Sequence, residues 1–306
     1  MNQRMRISGR SEASARYFFD RVLRGKGVAS MEAMEAPMNV VVTINRNYMR
    51  PLCVMLRSLL DAHTGRFIDV YILHTELTGE DIGFIRGTLG EGGYALHPVS
   101  VSRDFLQDAP VTFHFSREMY FRIFAAGLLP DALSRALYLD PDMVVLRDLS
   151  PLYDMELADR FFAAAWSINV AAEITHKLRL QMPVESRYFN SGVLLMNLSL
   201  LRLEQDVGAA LSFIEQNRAK LVLPDQDTLN ALYGSRTALL DPLVYNLDMR
   251  YFGLLSAAKL QRFNLETVRR QTAIVHYCGK NKPWDEHYRA PQGVFYREAE
   301  ERTFNR

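Results

Sequence analysis

Asp140 and Asp142 follow the apolar run Ala136-Leu137-Tyr138-Leu139 directly, with only Pro141 between them. The run reads as a buried strand, so the two carboxylates stand at its end. Such a pair is expensive to desolvate unless a cation neutralises it, and carboxylate oxygens suit Mg²⁺ or Mn²⁺. Far downstream lies His276-Tyr277-Cys278-Gly279-Lys280-Asn281-Lys282-Pro283-Trp284. His276 can complete a metal shell, Gly279 lets a phosphate approach the backbone, and Lys282 adds a point positive charge. The two segments together suit a metal-bound nucleotide sugar.

Two further groups carry side chains that a purely structural role leaves unexplained. Asp225-Gln226-Asp227 opens an amphipathic segment containing Leu229, Asn230 and Leu232. Asp225 reads simply as a helix N-cap, a common role for aspartate. Gln226 does not, because an amide just inside a helix has no capping role. Tyr188-Phe189-Asn190-Ser191-Gly192 precedes an apolar run. Either Gly192 serves a turn there, or the Asn190 amide is aimed at sugar hydroxyls.

These residues need a frame that brings distant segments to one edge. Asn39–Ile44, Ile68–Leu73 and Tyr94–Val101 read as strands, separated by helices near 51–60 and 80–89. Pro51 fits the first turn of the former, whose Leu52, Leu56, Leu59 and Leu60 share a face. Strand–helix–strand alternation predicts an α/β fold with a mostly parallel sheet covered on both faces. Ligands then bind beyond the carboxyl ends of the strands, which places Thr43–Tyr48 and Asp140–Asp142 on one rim. Ser116–Leu128, Leu200–Gln216 and Asp225–Leu232 read as helices. Phe162–Ala165, Ser191–Asn197 and Ala273–His276 read as strands.

Length and composition bound the alternatives. At 306 residues and 48% apolar content the chain can bury a large core, and a net charge of +1 gives no general field for nucleic acid. Two cysteines, Cys53 and Cys278, form neither a disulfide framework nor a zinc spacing, which points to a reducing, cytoplasmic setting. No apolar run approaches the ~20 residues of a membrane span. No phosphate-binding glycine motif or nucleophile elbow appears, so ATPase, dinucleotide and serine-hydrolase chemistry lose their usual marks. Residues 1–37 form a basic extension, with seven Lys and Arg before residue 30. Phe18, Phe19, Val22 and Leu23 on one helical face would suit peripheral contact with an anionic membrane, and a loose extension is the plainer reading. One compact domain is expected over 38–290, then a tail over 291–306 of mixed charge.

In order, the segments V-V-V-T-I-N-R-N-Y, Y-F-R, L-Y-L-D-P-D-M-V-V, Y-F-N-S-G-V-L-L-M-N-L, P-D-Q-D-T-L-N and H-Y-C-G-K-N-K-P-W resemble the retaining glycosyltransferases of family 8. That family includes bacterial enzymes that build lipopolysaccharide cores and, more distantly, glycogenin. The resemblance covers about residues 39–286. It implies a GT-A fold, with a Rossmann-like nucleotide half fused to an acceptor half, and transfer of galactose or glucose from a UDP-sugar to a glycan or glycolipid hydroxyl. It implies Asp140, Asp142 and His276 as ligands of Mn²⁺, with Mg²⁺ the alternative, and Pro141 between them. Thr43, Asn45, Asn47 and Tyr48 match the loop that holds uracil and ribose, and Arg122 matches an arginine that contacts the donor. Asn190, Asp225 and Gln226 match residues around the transferred hexose, Gly279 and Lys282 the diphosphate contacts, and His114 the acceptor pocket. Where relatives usually carry aspartate, this chain has Asn45, whose amide oxygen can still accept a base N–H. Two other readings compete: a metal-dependent phosphoryl or nucleotidyl transferase, and a non-catalytic sugar-nucleotide module.

Overall fold

A computed structural model of the protein describes residues 35–102, 117–183, 186–258 and 262–305. The basic segment over 1–34 and His114 lie outside the described residues. Seven strands form the main sheet in the order β3 (Tyr94–Ser100), β2 (Ile68–His74), β1 (Met38–Thr43), β4 (Arg135–Leu139), β7 (Phe189–Asn197), β6 (Phe162–Trp166) and β8 (Thr237–Leu240). From β3 to β4 the strands run parallel, β6 is parallel to β8, and β7 alone runs antiparallel to both its neighbours.

The central strands β1, β4 and β7 read as largely apolar runs because both faces of the sheet are covered there. Val40, Val42, Leu137, Leu139, Val193 and Leu195 point into one layer with Leu52, Leu56 and Leu59 of the Met49–Ala62 helix. Val41, Ala136, Tyr138, Leu194 and Met196 point into the other, with Tyr120, Phe121, Leu198, Ile214 and Leu229. This alternation is the strand period of two, with an apolar layer on each side.

A second sheet of three strands, β5 (Met143–Val145), β10 (Ile274–His276) and β9 (Leu247–Asp248), lies beyond the end of β4. Its packing joins Val144, Leu247, Val275 and Tyr277 to Phe295, Tyr296 and Ala299 of the Val294–Phe304 helix. The segment after residue 290, set apart above as a tail, thus contributes Phe295, Tyr296 and Ala299 to this packing.

Two helices differ from expectation. The stretch Leu200–Gln216 is two helices, Leu198–Glu204 and Val207–Gln216. Gln205 leaves the helical region, its side-chain nitrogen reaching Ile123 O at 2.8 Å, and Asp206 caps the next helix by accepting from Ala209 N at 2.9 Å. Within Ser116–Leu128 the described part is a tight turn over Arg117–Arg122, then a short helix over Ala125–Leu128. Met119, Tyr120, Phe121, Ile123, Phe124, Ala125 and Ala126 are all buried there, so no polar face enforces one regular helix.

Candidate functional site

Because β7 runs against β4, its first residues arrive at the rim where β1 and β4 finish. The Asp140 N–H donates to Gly192 O at 2.9 Å, which sets the acidic turn beside the start of β7. A short polar chain joins the strand ends: Thr43 Oγ1 lies 2.8 Å from Tyr138 Oη, and that hydroxyl lies 2.9 Å from Asp140 Oδ1. His276 reaches the same place through β10, which pairs antiparallel with β5 so that His276 faces Met143.

Asp140, Asp142 and His276 present ligand atoms that all lie within 4.8 Å of one another, the one such group among the described residues. His276 Nε2 is 3.1 Å from Asp142 Oδ1 and 3.7 Å from Asp140 Oδ2. Two carboxylate oxygens and an imidazole nitrogen form a donor set that fits Mn²⁺ or Mg²⁺. Gly192 supports the fit. A Cβ built on it would stand 2.4 Å from His276 Cε1, 2.7 Å from Asp140 Oδ2 and 2.9 Å from Met143 Cε. Glycine is required here by close approach between β7 and the ligand cluster, not by a turn, because Gly192 lies within the strand. Lys282 Nζ contacts Asp142 Oδ2 and donates to Tyr277 O at 2.8 Å. Burial opposes ionisation of Asp142, but His276 and Lys282 outweigh it and hold the carboxyl well below its usual range. Burial likewise opposes charge on His276, and Cys278 and Asp142 overcome it, so the ring pKa is raised.

Arg122 joins this cluster to the second group of residues. Its guanidinium lies 2.8 Å from Asp140 Oδ1 and 3.1 Å from Asp225 Oδ2, and donates to Ser191 O at 3.1 Å. With 8% of its surface exposed, it is a buried brace between two carboxylates rather than an open arm. Asp225 is not an N-cap: that position falls on Leu223, with Pro224 at the first helical residue. Burial pushes the Asp225 carboxyl up, Arg122 draws it down, and the net shift is upward. Gln226 Oε1 accepts from Ser191 N at 3.1 Å, which ties the Pro224–Tyr233 helix to the start of β7. With His276 neutral, as a metal ligand must be, the cluster sets three carboxylates against Arg122 and Lys282, leaving room for added positive charge.

Asp227, between Gln226 and the core, is fully buried and holds this helix in place. It accepts from Arg179 at 2.9 Å, from Tyr188 Oη at 2.7 Å and from the N–H groups of Val222 and Leu223 at 2.8 and 3.0 Å. Burial works against its charge, yet these donors lower its pKa overall. Asp227→Ala is expected to destabilise the fold by about 3–5 kcal/mol, because it strands a cation and several donors. The wild-type increment is fully present above the unfolded carboxylate pKa of about 3.9 and is lost as pH falls through the lower folded value. Denaturant titrations at pH 7 and below pH 4 check both statements: the gap between wild type and variant should narrow in acid.

The other expected residues gather less tightly. Asn45 caps the turn Arg46–Tyr48, its Oδ1 accepting from Asn47 N at 3.1 Å, and Tyr48 meets Trp284 edge-on at 6.0 Å between centroids. Thr43 is buried at the strand end, and Pro141 is buried between the two aspartates. Gly279 adopts φ +86° over the Arg250 side chain, so its backbone alone calls for glycine. Residues that the sequence did not single out complete the site: Tyr138, Ser191 and, above all, Asn246. Asn246 lies 2.8 Å from His276 Nδ1 and 2.9 Å from Asn190 Oδ1. Nothing around Asn246 in the sequence marks it, since it follows a short helix and precedes two strand residues.

The profile described as Glycosyl transferase family 8 matches residues 39–287. General stress protein A of Bacillus subtilis (strain 168) is 27% identical over 260 residues, which cover 83% of this chain and 90% of that protein. A lipopolysaccharide 1,2-glucosyltransferase of Escherichia coli (strain K12) is 27% identical over 266 residues, 87% of this chain and 78% of that one. Among solved structures, the galactosyltransferase LgtC in complex with donor and acceptor sugar analogues aligns with TM-score 0.76 at 25% identity, covering 87% of this chain and 96% of LgtC. The sheet order and the likeness to LgtC identify the fold as GT-A. With the family profile matched from β1 to the segment after β10, and with all six motifs inside that span, the chain is a glycosyltransferase that belongs to glycosyl transferase family 8.

Proposed function

We propose that this protein transfers a hexose, glucose or galactose, from a UDP-sugar to a hydroxyl of a cell-envelope glycan such as a lipopolysaccharide core, with retention of anomeric configuration. The reaction is placed in the cytoplasm, at the inner face of the membrane that carries the acceptor. The observation that carries this reading is the convergence of Asp140, Asp142 and His276 with Asn190 and Gln226 through Ser191, Gly192 and Asn246. A metal site alone would suit many reactions; a metal site fused to an amide-rich pocket suits a donor with a diphosphate and a sugar.

Asp140, Asp142 and His276 would hold a divalent cation, which would supply Lewis-acid stabilisation of the diphosphate leaving group. Lys282 stays charged beside Asp142, because that carboxylate outweighs the effect of burial, and it can turn to the departing phosphate oxygens. Thr43, Asn45, Asn47 and Tyr48 hold the uridine end. Asp225 and Arg122 lock one another and fix the wall against which the hexose rests. Asn190 and Gln226 orient the sugar, with the Gln226 amide near the anomeric carbon, where it is too weak a nucleophile to form a stable adduct.

The test is a donor panel of UDP-glucose, UDP-galactose and GDP-mannose, with and without Mn²⁺, scored by nucleotide product. Release of UDP from a UDP-hexose only with Mn²⁺ is expected. Release of UMP would favour phosphoryl or nucleotidyl transfer, and binding without turnover in the presence of candidate acceptors would favour a sensor. For Gln226→Ala, kcat should fall roughly a hundredfold, the scale of losing one contact made to developing charge, while donor KM changes little. A large KM change with kcat intact would make Gln226 a binding residue only.

A further inference from the structure

Asn190, Asn246 and His276 form a hydrogen-bonded line whose polarity is fixed from one end. The Gly192 main-chain N–H can only donate, and it lies 2.8 Å from the Asn190 side chain, so the atom it meets is Oδ1. The same oxygen receives Asn246 at 2.9 Å, which must therefore offer its amide nitrogen. The remaining Asn246 atom is its oxygen, and it lies 2.8 Å from His276 Nδ1, so that nitrogen carries hydrogen. The ring is thereby turned with Nε2 towards Asp140 and Asp142. At the other end, Asn190 Nδ2 has, among the described residues, only Cys278 Sγ at 3.9 Å, a weak acceptor that an oxygen would readily replace.

We propose that Asn246 is a positioning residue that couples the metal-binding orientation of His276 to the orientation of the Asn190 amide, reserving Asn190 Nδ2 as a donor to a hydroxyl of the bound sugar. Asn246 is 3% exposed and touches neither ion nor donor in this scheme. It acts through its neighbours. A partner that fixes the non-ligating nitrogen of a metal-binding histidine governs both ring orientation and basicity. What is unusual here is that this partner also holds the sugar-facing amide, so one side chain serves both halves of the site. The sugar half rests on the transfer reading above; the metal half does not.

Two variants separate the halves. Asn246→Ala removes the acceptor from His276 Nδ1, and Mn²⁺ affinity measured by calorimetry without any donor should fall about 10- to 100-fold. Asn246→Asp keeps an acceptor for His276 but sets a carboxylate oxygen against Asn190 Oδ1. Its Mn²⁺ affinity should stay within about threefold of wild type, since the His276 partner is preserved. Its preference for UDP-hexose over UDP should drop about tenfold, the scale of one lost hydrogen-bond arrangement in a dry site. A merely structural asparagine would move both affinities together in both variants. Unchanged Mn²⁺ binding by folded Asn246→Ala overturns the metal half, and a preserved UDP-hexose preference in Asn246→Asp overturns the coupling to Asn190. Should Asn246→Ala fail to fold, loss of Mn²⁺ affinity in the near-isosteric Asn246→Asp would overturn the metal half in its place. Wild-type protein that binds UDP but gains nothing from the hexose would count against the transfer reading itself, while the donor-free Mn²⁺ measurement still decides the metal half.

Discussion

Asp142→Ala should lose roughly a thousandfold in turnover while remaining folded, equivalent to about 4 kcal/mol of transition-state stabilisation. The effect is large because Asp142 has two functions that no neighbour can assume. It contributes an oxygen to the ligand cluster, and it receives Lys282 and His276. Removing it would leave the cation with one carboxylate and an imidazole, and would leave Lys282 without its carboxylate partner in a buried site. Asp142→Asn separates the contributions, since it keeps the volume and removes the charge. Both variants should show the melting profile of a folded protein together with a weakened response to Mn²⁺. Near wild-type turnover by folded Asp142→Ala would sink the metal assignment and the transfer mechanism with it.

Gly192→Ala should be nearly as damaging, although it adds only a methyl group to a residue with no functional side chain. The new carbon would meet His276 and Asp140 well inside contact distance, and neither can withdraw freely. Asp140 is held by Arg122 and by Tyr138, and the His276 ring is held by Asn246. The strand cannot yield easily either, because Gly192 O is committed to the Asp140 N–H. Overpacking of this kind costs about 1–3 kcal/mol of stability. Displacing two ligands by a fraction of an ångström or more should cost roughly a hundredfold in rate. Turnover assays beside Mn²⁺ titrations followed by thermal shift would check this. A fully active Gly192→Ala would mean that the cluster rearranges before it works.

Much of the frame was legible in the sequence because its signals are local. Runs such as Val40-Val41-Val42 and Leu137-Tyr138-Leu139 bury both faces of a strand, and a buried strand must read apolar throughout. The acidic pair and His276 were legible for a different reason: each has other uses alone, but the pair's apolar flanks and the Gly279 and Lys282 beside His276 together suit a metal-bound diphosphate. Gln226 stood out by elimination. What escaped were residues whose meaning depends on long-range pairing. Asn246 is an ordinary asparagine until β9 and β10 lie side by side, and Gly192 looks like a turn until β7 is known to run against β4. Asp225 fits a cap by local rules, and its other partners, Arg122 and Ser191, come from distant parts of the sequence. The break at Gln205 was hidden for the same reason, because the groups that pull it out of the helix are Ile123 and Tyr233.

The Val294–Phe304 helix lies on the Met49–Ala62 helix, with Arg302 donating to Asp61 across 241 positions of sequence and Arg50 covering the Phe304 ring. During synthesis the first βαβ units can pair as soon as they emerge, since their contacts are close in sequence. The outer side of the Met49–Ala62 helix must nevertheless wait until synthesis reaches the distant Val294–Phe304 segment. Val54, which that side presents, packs in the same cluster as Phe295 and Tyr296. Until that segment emerges the nascent chain therefore carries an uncovered apolar seam, and His276 joins the acidic pair only shortly before the seam closes. Folding and activation become nearly the same event, and a chain stalled before residue 294 would be a target for chaperones rather than a slow enzyme.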